Sequence, residues 1–500
     1  MKTIKNIKRG LVLSLMIITA VGCSDFLEVN DSPNSPTIST PSLTLPVAQQ
    51  SLVSMSATTM NYLGNYMTYS YSTPSNWSAN SAFFRYTVST TFYSGIFQSS
   101  YSSILKNLTY VMTYDDGVSD YSAYQTIAKV LKGYQFQYLV DLYGDVPYSE
   151  ANLRGGNTTP KYDDAETVYK AIIEELTAAA TLATNMPALA VNPGDQDIIF
   201  GGNMTKWAQF ANTVKLRMLV RLSNTSQDAY ITAEIAKINA NGAGYITSTT
   251  AANPGYSDDA SKQNPTWGSL GFAPNAGSLT DRNDYTVASD YMITVLTDNN
   301  DARIERLFAP AAASGNFKGA AQSTVLPGTG FTNRDVSHVG PGILVSATAD
   351  QPIMLLSESL LIQAEAIARG YIPGGDAAAK TMYQNAIEAS FTELGVTDPV
   401  TEAQAYYGQA GVVNVNWDDS PNKIEAIMEQ KWVALCGVSA INSWIDKTRT
   451  GFPANLPVPA ESAGTRPVRL LYPATEVARN SANVPAQATS DAFTSFPFWK

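Results

Sequence analysis

Apolar residues recur at intervals of three and four over long parts of this 500-residue chain, which is the spacing of one buried helix face. One such stripe runs through Ile127, Val130, Leu131, Tyr134 and Tyr138. Taken together, the stripes predict eight helices, over residues 122–143, 165–184, 205–222, 228–240, 353–369, 376–394, 421–436 and 439–446.

The predicted helices follow one another as four pairs: 122–143 with 165–184, 205–222 with 228–240, 353–369 with 376–394, and 421–436 with 439–446. Pairs of this size, with small residues facing large ones, are similar to tetratricopeptide repeats, although the full 34-residue consensus does not fit. We therefore predict a mostly α-helical protein, with tetratricopeptide-like helix pairs as its scaffold and few short strands.

Residues 241–352 interrupt this pattern. They carry no sustained period and are rich in Gly, Pro, Asn and Asp. Irregular segments of this length inside a folded body are usually functional. We expect one helical body over residues 47–500, in which 241–352 form a loop-rich insertion.

The N-terminus has the pattern of an export signal. A basic segment ends at Lys8-Arg9, and the apolar run Leu11–Val21 is about half the length that a membrane-spanning helix needs. The run ends at Gly22-Cys23, which resembles the lipobox of bacterial lipoproteins. This predicts a signal peptide over residues 1–22 and a diacylated Cys23 that anchors the protein to a membrane. The alternative is an ordinary leader with a chance cysteine.

A proline-rich segment follows the predicted lipidation site. Residues 23–46 contain Pro33, Pro36, Pro41 and Pro46 among Ser, Thr and Asn, a composition that favours extended chain over helix. We expect these residues to form a tether.

Composition excludes several classes of function. The chain has 32 Lys and Arg against 43 Asp and Glu, and without the four cations of the leader the balance is 28 − 43 = −15. Such an acidic chain lacks the basic surface that nucleic-acid binding needs. Two cysteines and one histidine cannot supply a disulfide framework or a Cys/His zinc site, and no metal or cofactor is predicted.

The first part of the body is almost free of charge. Arg85 is the only charged residue between Asp31 and Lys106, and this stretch holds many tyrosines, spaced by Ser, Thr and Asn. Aromatic and hydroxyl groups without charge suit a neutral polar ligand or a protein partner.

Several motifs indicate a family. The segment Leu142-Tyr143-Gly144-Asp145-Val146-Pro147-Tyr148-Ser149-Glu150-Ala151 resembles the SusD/RagB family of nutrient-binding outer-membrane lipoproteins. Four other segments match the family, and all five occur along the chain in the family's order. They are Asp25-Phe26-Leu27-Glu28, Ala364-Glu365-Ala366, Glu429-Gln430-Lys431-Trp432 and Arg469-Leu470-Leu471-Tyr472-Pro473. Residues 444–453 depart from the family's usual sequence, which leaves the subgroup open.

The resemblance implies a function. Family members bind nutrients without catalysis, usually oligosaccharides and in RagB-like members peptides. They are anchored in the outer membrane, facing the cell surface, and deliver ligand to a SusC-like TonB-dependent barrel. The same fold, location and partner are therefore expected here.

Candidate ligand-binding residues lie in two turn-rich segments. Sugars have apolar C–H faces and polar edges, so a site needs exposed aromatic rings beside amide, carboxylate or guanidinium groups. For Trp77 and Trp267, a ligand platform and local packing both remain open. The predicted site residues are Tyr71, Trp77, Asn80, Trp267, Asn275, Arg282 and Tyr285.

Two other classes of function remain as alternatives. A surface glycoside hydrolase would use paired carboxylates, and Glu358 and Glu365 lie about 10 Å apart along one predicted helix. His338 lies in a loop-like segment, and the chain has no Gly-x-Ser-x-Gly nucleophile motif in a suitable context. A purely structural repeat protein is the weaker possibility.

Overall fold

The structure is a computed structural model that describes residues 39–275, 277–325 and 330–500. The predicted signal peptide, Cys23 and the tether up to residue 38 lie outside the described residues. All statements below concern the described part of the chain.

The described fold contains twenty α-helices and four short strands, together with two π-helical segments (Met55–Met60 and Ser100–Leu105) and three single turns of 3-10 helix. The helices are α1 (Pro41–Ser54), α2 (Asn61–Met67), α3 (Ser81–Phe84), α4 (Gly95–Ser99), α5 (Lys106–Thr113), α6 (Ser122–Tyr143), α7 (Ala165–Thr184), α8 (Met204–Arg221), α9 (Asp228–Asn241), α10 (Pro265–Leu270), α11 (Asp281–Asp284), α12 (Asp290–Asp298), α13 (Ile304–Leu307), α14 (Leu356–Ala368), α15 (Gly375–Leu394), α16 (Pro399–Tyr407), α17 (Lys423–Leu435), α18 (Ala440–Thr450), α19 (Ala474–Arg479) and α20 (Asp491–Thr494). The strands are β1 (Tyr71–Ser72), β2 (Thr250–Ala252), β3 (Val287–Ala288) and β4 (Gln351–Met354).

The eight helices predicted from apolar periodicity are confirmed as α6, α7, α8, α9, α14, α15, α17 and α18, with ends that differ by a few residues. Side chains cap the starts of α7, α8 and α17: Asp164 accepts a hydrogen bond from the backbone N–H of Thr167, Asn203 accepts one from that of Lys206, and Asn422 accepts from those of Ile424 and Glu425. Gly144 ends α6 with a positive φ of 83°, which a residue with a side chain adopts less readily.

Neighbouring helices in the chain pack as the predicted pairs. Helix α6 packs on α7, α8 on α9, α14 on α15 and α17 on α18. Further contacts of α7 with α8, and of α14 with α8 and α17, join the pairs, whose buried apolar residues form two large clusters that both include residues of α14. The prediction of a mostly helical scaffold is therefore confirmed.

The predicted C-terminal end of the tether, residue 46, is wrong. Helix α1 begins at Pro41 and includes Pro46, so residues 41–46 belong to the folded body. A proline at the first helical position is favourable because the amide there has no partner inside the helix. Leu45, Ala48 and Leu52 are fully buried and hold α1 on the core.

Most aromatic residues of the nearly uncharged segment lie inside the core. All seven residues of α2 are buried, and among the rings of this segment Tyr62, Tyr66, Phe83 and Phe97 are 5% exposed or less. The segment is low in charge because its helices are buried on several sides. It therefore offers less exposed aromatic surface than its composition suggested.

The insertion is irregular, as predicted. One small antiparallel sheet attaches it to the body, and a second pairs its two ends. Strand β1 pairs with β3 of the insertion, with Tyr71 opposite Ala288. Strand β2 pairs with β4 at the far end of the insertion, with Thr250 opposite Met354. The first sheet brings the chain that follows β1 against the insertion, and this contact builds the site described next.

Candidate ligand-binding site

An open cleft of about 500 Å³ lies on the insertion, and we call it the Trp267 cleft. One part of its lining is apolar and the other carries amide, carboxylate, guanidinium and imidazole groups. The described lining residues are Trp267, Phe272, Leu279, Asn283, Asp284, Ala309, Pro310, Ala312, Asn333, Arg334, His338, Val339, Gly340, Pro341, Leu344 and Val345.

Trp267 stands on the short helix α10. Asn264 caps this helix by accepting a 3.0 Å hydrogen bond from the backbone N–H of Trp267, and Pro265 occupies the first helical position. The indole is half-buried, and its ring centre lies 5.0 Å from that of Phe272. The two rings form an aromatic wall that remains partly open to solvent.

Asp284, Asn333 and His338 form the polar part of the cleft. The Asn333 amide donates a 2.6 Å hydrogen bond to Oδ1 of Asp284. The imidazole of His338 lies between two backbone carbonyl oxygens, with Nδ1 3.0 Å from that of Asn283 and Nε2 2.6 Å from that of Asn333. These contacts fix the polar groups before any ligand arrives, which lowers the ordering cost of binding.

Trp77 reaches the same carboxylate from the N-terminal part of the body. Its Nε1–H donates a 2.9 Å hydrogen bond to Oδ2 of Asp284, and its ring centre lies 5.5 Å from that of Tyr285. Trp77 is half-buried and lines a separate pocket of about 280 Å³ with Ser75, Asn76 and Ser78. Asp284 therefore connects the two predicted segments, because it is hydrogen-bonded to Trp77 and lines the same cleft as Trp267.

Asn80, three residues after Trp77, is held in place by three neighbouring side chains. Its backbone adopts the left-handed conformation, with φ 61°, and its Nδ2 lies 2.9 Å from the hydroxyl oxygens of Tyr62, Tyr66 and Thr73. The amide group is thereby held by the protein itself. Asn80 positions the segment after Trp77.

Arg282 lines a third small pocket, of about 270 Å³, together with Tyr62 and Tyr93. Its guanidinium lies 5.0 Å from the centre of the Tyr62 ring and donates a 2.9 Å hydrogen bond to Oγ of Ser269. Burial lowers the pKa of Arg282, but its interactions with Tyr285 and Tyr62 outweigh burial and raise it. The side chain is therefore a fixed positive charge beside the Trp77 region.

Tyr71 is not the exposed ring that the sequence suggested. Strand β1 is covered by β3 and the surrounding core, so Tyr71 is fully buried, with ring centres 6.4 Å from those of Tyr66 and Phe308. Asn275 is exposed, but it lies in a turn where its backbone N–H donates to the Asp258 carbonyl, and it lines none of the described pockets. The structure therefore places Trp77, Asn80, Arg282 and Tyr285 together, with Trp267 on the adjoining cleft.

Asp284, Asn333 and Arg334 line the cleft but are not among the residues predicted from the sequence, and His338 was considered there only for catalysis. Asp284 lies between the predicted residues Arg282 and Tyr285, which was a local signal for it. The contribution of residues 333–338 depends on contacts between distant parts of the chain, for which the sequence carries no local pattern.

The carboxylate pair proposed for a hydrolase is inside the core. Glu358 is 0% exposed and forms a 3.0 Å ion pair with Arg217. Glu365 is also 0% exposed and forms ion pairs with Arg449 and Arg369. Neither carboxylate can reach a sugar at the surface, so this pair does not form a glycosidase site.

The Trp267 cleft combines aromatic, amide, carboxylate and guanidinium groups. Among its described lining residues Asp284 is the only carboxylate, and none is a serine, threonine or cysteine. Hydrolysis by the common glycosidase mechanism needs two carboxyl groups. In residues 39–275, 277–325 and 330–500 there is no group of three or more potential metal ligands and no helix long and apolar enough to cross a bilayer.

Comparison with solved structures shows the fold. A SusD homologue from Bacteroides fragilis superposes with a TM-score of 0.74 at 23% identity, covering 92% of this chain and 99% of the other. A chitin-binding protein gives 0.72 at 23% identity over 89% and 95% of the two chains. A chitin-binding SusD homologue from Flavobacterium johnsoniae gives 0.68 at 19% identity over 89% and 92%.

Comparison with curated proteins found no match. A family model does match: the SusD-like family, described as starch-binding and associating with the outer membrane, covers residues 33–473. Because this match spans most of the 500 residues, the chain belongs to the SusD-like family.

Proposed function

We propose that the protein is a surface lipoprotein that binds an oligosaccharide in the Trp267 cleft, without cleaving it, and passes it to a SusC-like TonB-dependent barrel. The observation that carries the proposal is that Trp267, Asp284 and Asn333 line one open cleft. An aromatic face suits the apolar side of a sugar ring, and the carboxylate and amide suit its hydroxyl groups. Family membership supports nutrient binding at the outer membrane.

The size and shape of the cleft support a small oligosaccharide. A volume of about 500 Å³ lies within the ordinary range for small-molecule sites. Open access allows a longer chain to extend beyond the cleft. The half-buried ring of Trp77, connected through Asp284, offers a second aromatic surface beside it.

Binding should be tested by titration calorimetry with a panel of neutral oligosaccharides, including chitin and starch fragments, and of short peptides. The wild type should bind at least one neutral oligosaccharide. Trp267→Ala should weaken that binding by about tenfold, since one aromatic contact contributes about 0.5–1.5 kcal/mol, the loss of buried apolar area adds to this, and about 1.4 kcal/mol corresponds to tenfold. Phe496→Ala is the matched control, because Phe496 is 50% exposed and lies outside the cleft.

The same incubations should be analysed for reducing ends. A binding protein leaves the oligosaccharide intact, whereas release of reducing ends would contradict the proposal. Peptide binding without oligosaccharide binding would assign the cleft to a RagB-like function, which its apolar residues Phe272, Leu279 and Leu344 would also allow.

The anchor and the partner are separate parts of the proposal. Cys23→Ser should release the protein from membranes, because the lipid-bearing thiol is lost. The lipidated protein should co-purify with a TonB-dependent barrel from the outer membrane of its host. A Cys23→Ser protein that stays in the membrane fraction would contradict lipidation at this residue.

A further inference from the structure

A second cleft lies outside the Trp267 region, and we call it the Arg479 cleft. Its volume is about 950 Å³, against about 500 Å³ for the Trp267 cleft. Three separate parts of the chain line it: the helical segment 97–106, the loop 147–160 and the helix α19. The loop 147–160 overlaps the family motif at residues 142–151, and α19 directly follows the family motif at residues 469–473.

Hydrogen bonds hold these three parts in place. The Tyr101 hydroxyl donates a 2.6 Å bond to the carbonyl of Pro147, and the Asn152 amide donates a 3.0 Å bond to the carbonyl of Tyr101. At the other side, the Gln98 amide donates a 2.8 Å bond to the hydroxyl of Thr475. The cleft is therefore formed by fixed walls, which favours binding.

The described side chains that line the Arg479 cleft carry a net positive charge, whereas the chain as a whole is negatively charged. Lys106 and Arg479 line it, both side chains are exposed, and neither forms an ion pair or a hydrogen bond within the described residues. The only acid among the described lining residues is Glu476, which accepts a 3.0 Å hydrogen bond from the Tyr162 hydroxyl. The described lining of this cleft therefore carries two cations and one carboxylate, in a chain whose net charge is −11.

The remaining lining suits a sugar. Tyr101 and Pro147 supply apolar surface, and Asn152, Ser102 and Thr158 supply amide and hydroxyl groups. A cleft of this volume accommodates several sugar units, since it lies at the upper end of the range of small-molecule sites. Arginine and lysine form strong charge-assisted hydrogen bonds with carboxylates.

We propose that the Arg479 cleft is a second binding site, which takes an oligosaccharide bearing carboxylate groups. Arg479 and Lys106 contact the carboxylates, and the Tyr101 side supports the sugar ring. This site is separate from the Trp267 cleft, because the two share no described lining residue. The protein then binds acidic and neutral sugar units at different places.

Trigalacturonate and its fully methyl-esterified form are suitable probes, because they differ in charge and share one sugar backbone. Titration calorimetry with the full chain should detect binding of trigalacturonate and at least tenfold weaker binding of the ester. Arg479→Gln and Lys106→Gln should each weaken trigalacturonate binding by about tenfold. Lys206→Gln is the charge-matched control, because Lys206 is exposed and lines neither cleft.

Three results would overturn the second site: no binding of trigalacturonate, equal binding of the ester, or unchanged affinity in both cleft variants. Trp267→Ala distinguishes the two sites and should leave trigalacturonate affinity unchanged. If Trp267→Ala abolished this binding while Arg479→Gln did not, the acidic sugar would occupy the Trp267 cleft. The second site would then be rejected and the proposed function would stand.

Discussion

The indole N–H of Trp77 donates a hydrogen bond of 2.9 Å to the carboxylate of Asp284, across 207 residues of sequence. Asp284 lines the Trp267 cleft, and its other oxygen accepts from Asn333. One carboxylate thus connects the N-terminal body to two parts of the insertion. The candidate site depends on this long-range connection.

A double-mutant cycle tests the connection. Trp77→Phe keeps the ring beside Tyr285 and removes the donor, whereas Asp284→Asn removes the charge of the acceptor. We expect a coupling energy of about 1 kcal/mol in the free energy of unfolding, because a hydrogen bond to a charged group is being removed. Urea denaturation of the wild type, the two single variants and the double variant measures it. Strictly additive effects would show that the bond contributes nothing.

Trp499 provides a second test of the core. Its side chain is fully buried and donates a 2.8 Å hydrogen bond to Oδ1 of Asp141, whose other oxygen is paired with Arg221. Trp499→Phe leaves that buried oxygen without its donor, which should destabilise the fold by about 1–3 kcal/mol. Phe496→Leu is the control at an exposed position and should change stability by less than about 0.5 kcal/mol. Equal urea midpoints for Trp499→Phe and the wild type would contradict the role of this bond.

Gly64 marks the closest approach of two helices. A Cβ at Gly64 would lie 2.1 Å from backbone atoms of Ala440 and Ile441, at the start of α18. Gly64→Ala should therefore destabilise the fold by several kcal/mol or prevent folding, since backbone cannot move aside cheaply. Gly95→Ala is the matched control: nothing lies within 4 Å of its Cβ, and it should be neutral or slightly stabilising. A thermal melt of each variant decides the matter, and a Gly64→Ala protein as stable as the wild type would refute the packing.

The raised pKa of Glu429 should make the stability of the fold depend on pH. Burial and, to a smaller extent, the neighbouring Glu425 raise the pKa of Glu429 from its usual value of 4.5 to about 8. Between these values the folded state holds a proton that the unfolded chain has lost, so stability should fall as the pH rises from about 4.5 to about 8. Urea unfolding of the wild type and Glu429→Gln at several pH values in this window measures the effect.

The glutamine variant cannot lose a proton, so its stability should decline less with rising pH than that of the wild type. The effect should end near pH 8, because above that pH the folded protein also loses the Glu429 proton. Burial lowers the pKa of Lys447 to about 8, and its titration acts with the opposite sign above that pH. Identical slopes for the two proteins would contradict the raised pKa.

Much of the helical scaffold could be predicted from the sequence, because helices such as α7 have one apolar face and one polar face. The periodicity of Val168, Ile172 and Leu176 reports that geometry directly. Helices α1 and α2 were missed for the opposite reason. Residues on every side of α2 are buried, so no polar face marks its period, and Pro46 argued against helix in α1.

The site was only partly predictable. The turn-rich surroundings of Trp77 and Trp267 identified both rings as candidates, since no apolar stripe accounted for them. Tyr71 was indistinguishable from them in sequence, yet the pairing of β1 with β3 buries it. Asn333 and His338 reach the cleft through folding of the insertion, which has no periodic pattern to follow.

The central claim is that the Trp267 cleft binds an oligosaccharide. A crystal structure of the protein with the best neutral oligosaccharide from the binding panel tests it most directly. We predict a sugar ring against the indole of Trp267, with hydroxyl groups hydrogen-bonded to Asp284 or Asn333 and every glycosidic bond intact. A ligand bound elsewhere, with the Trp267 cleft empty, would contradict the account.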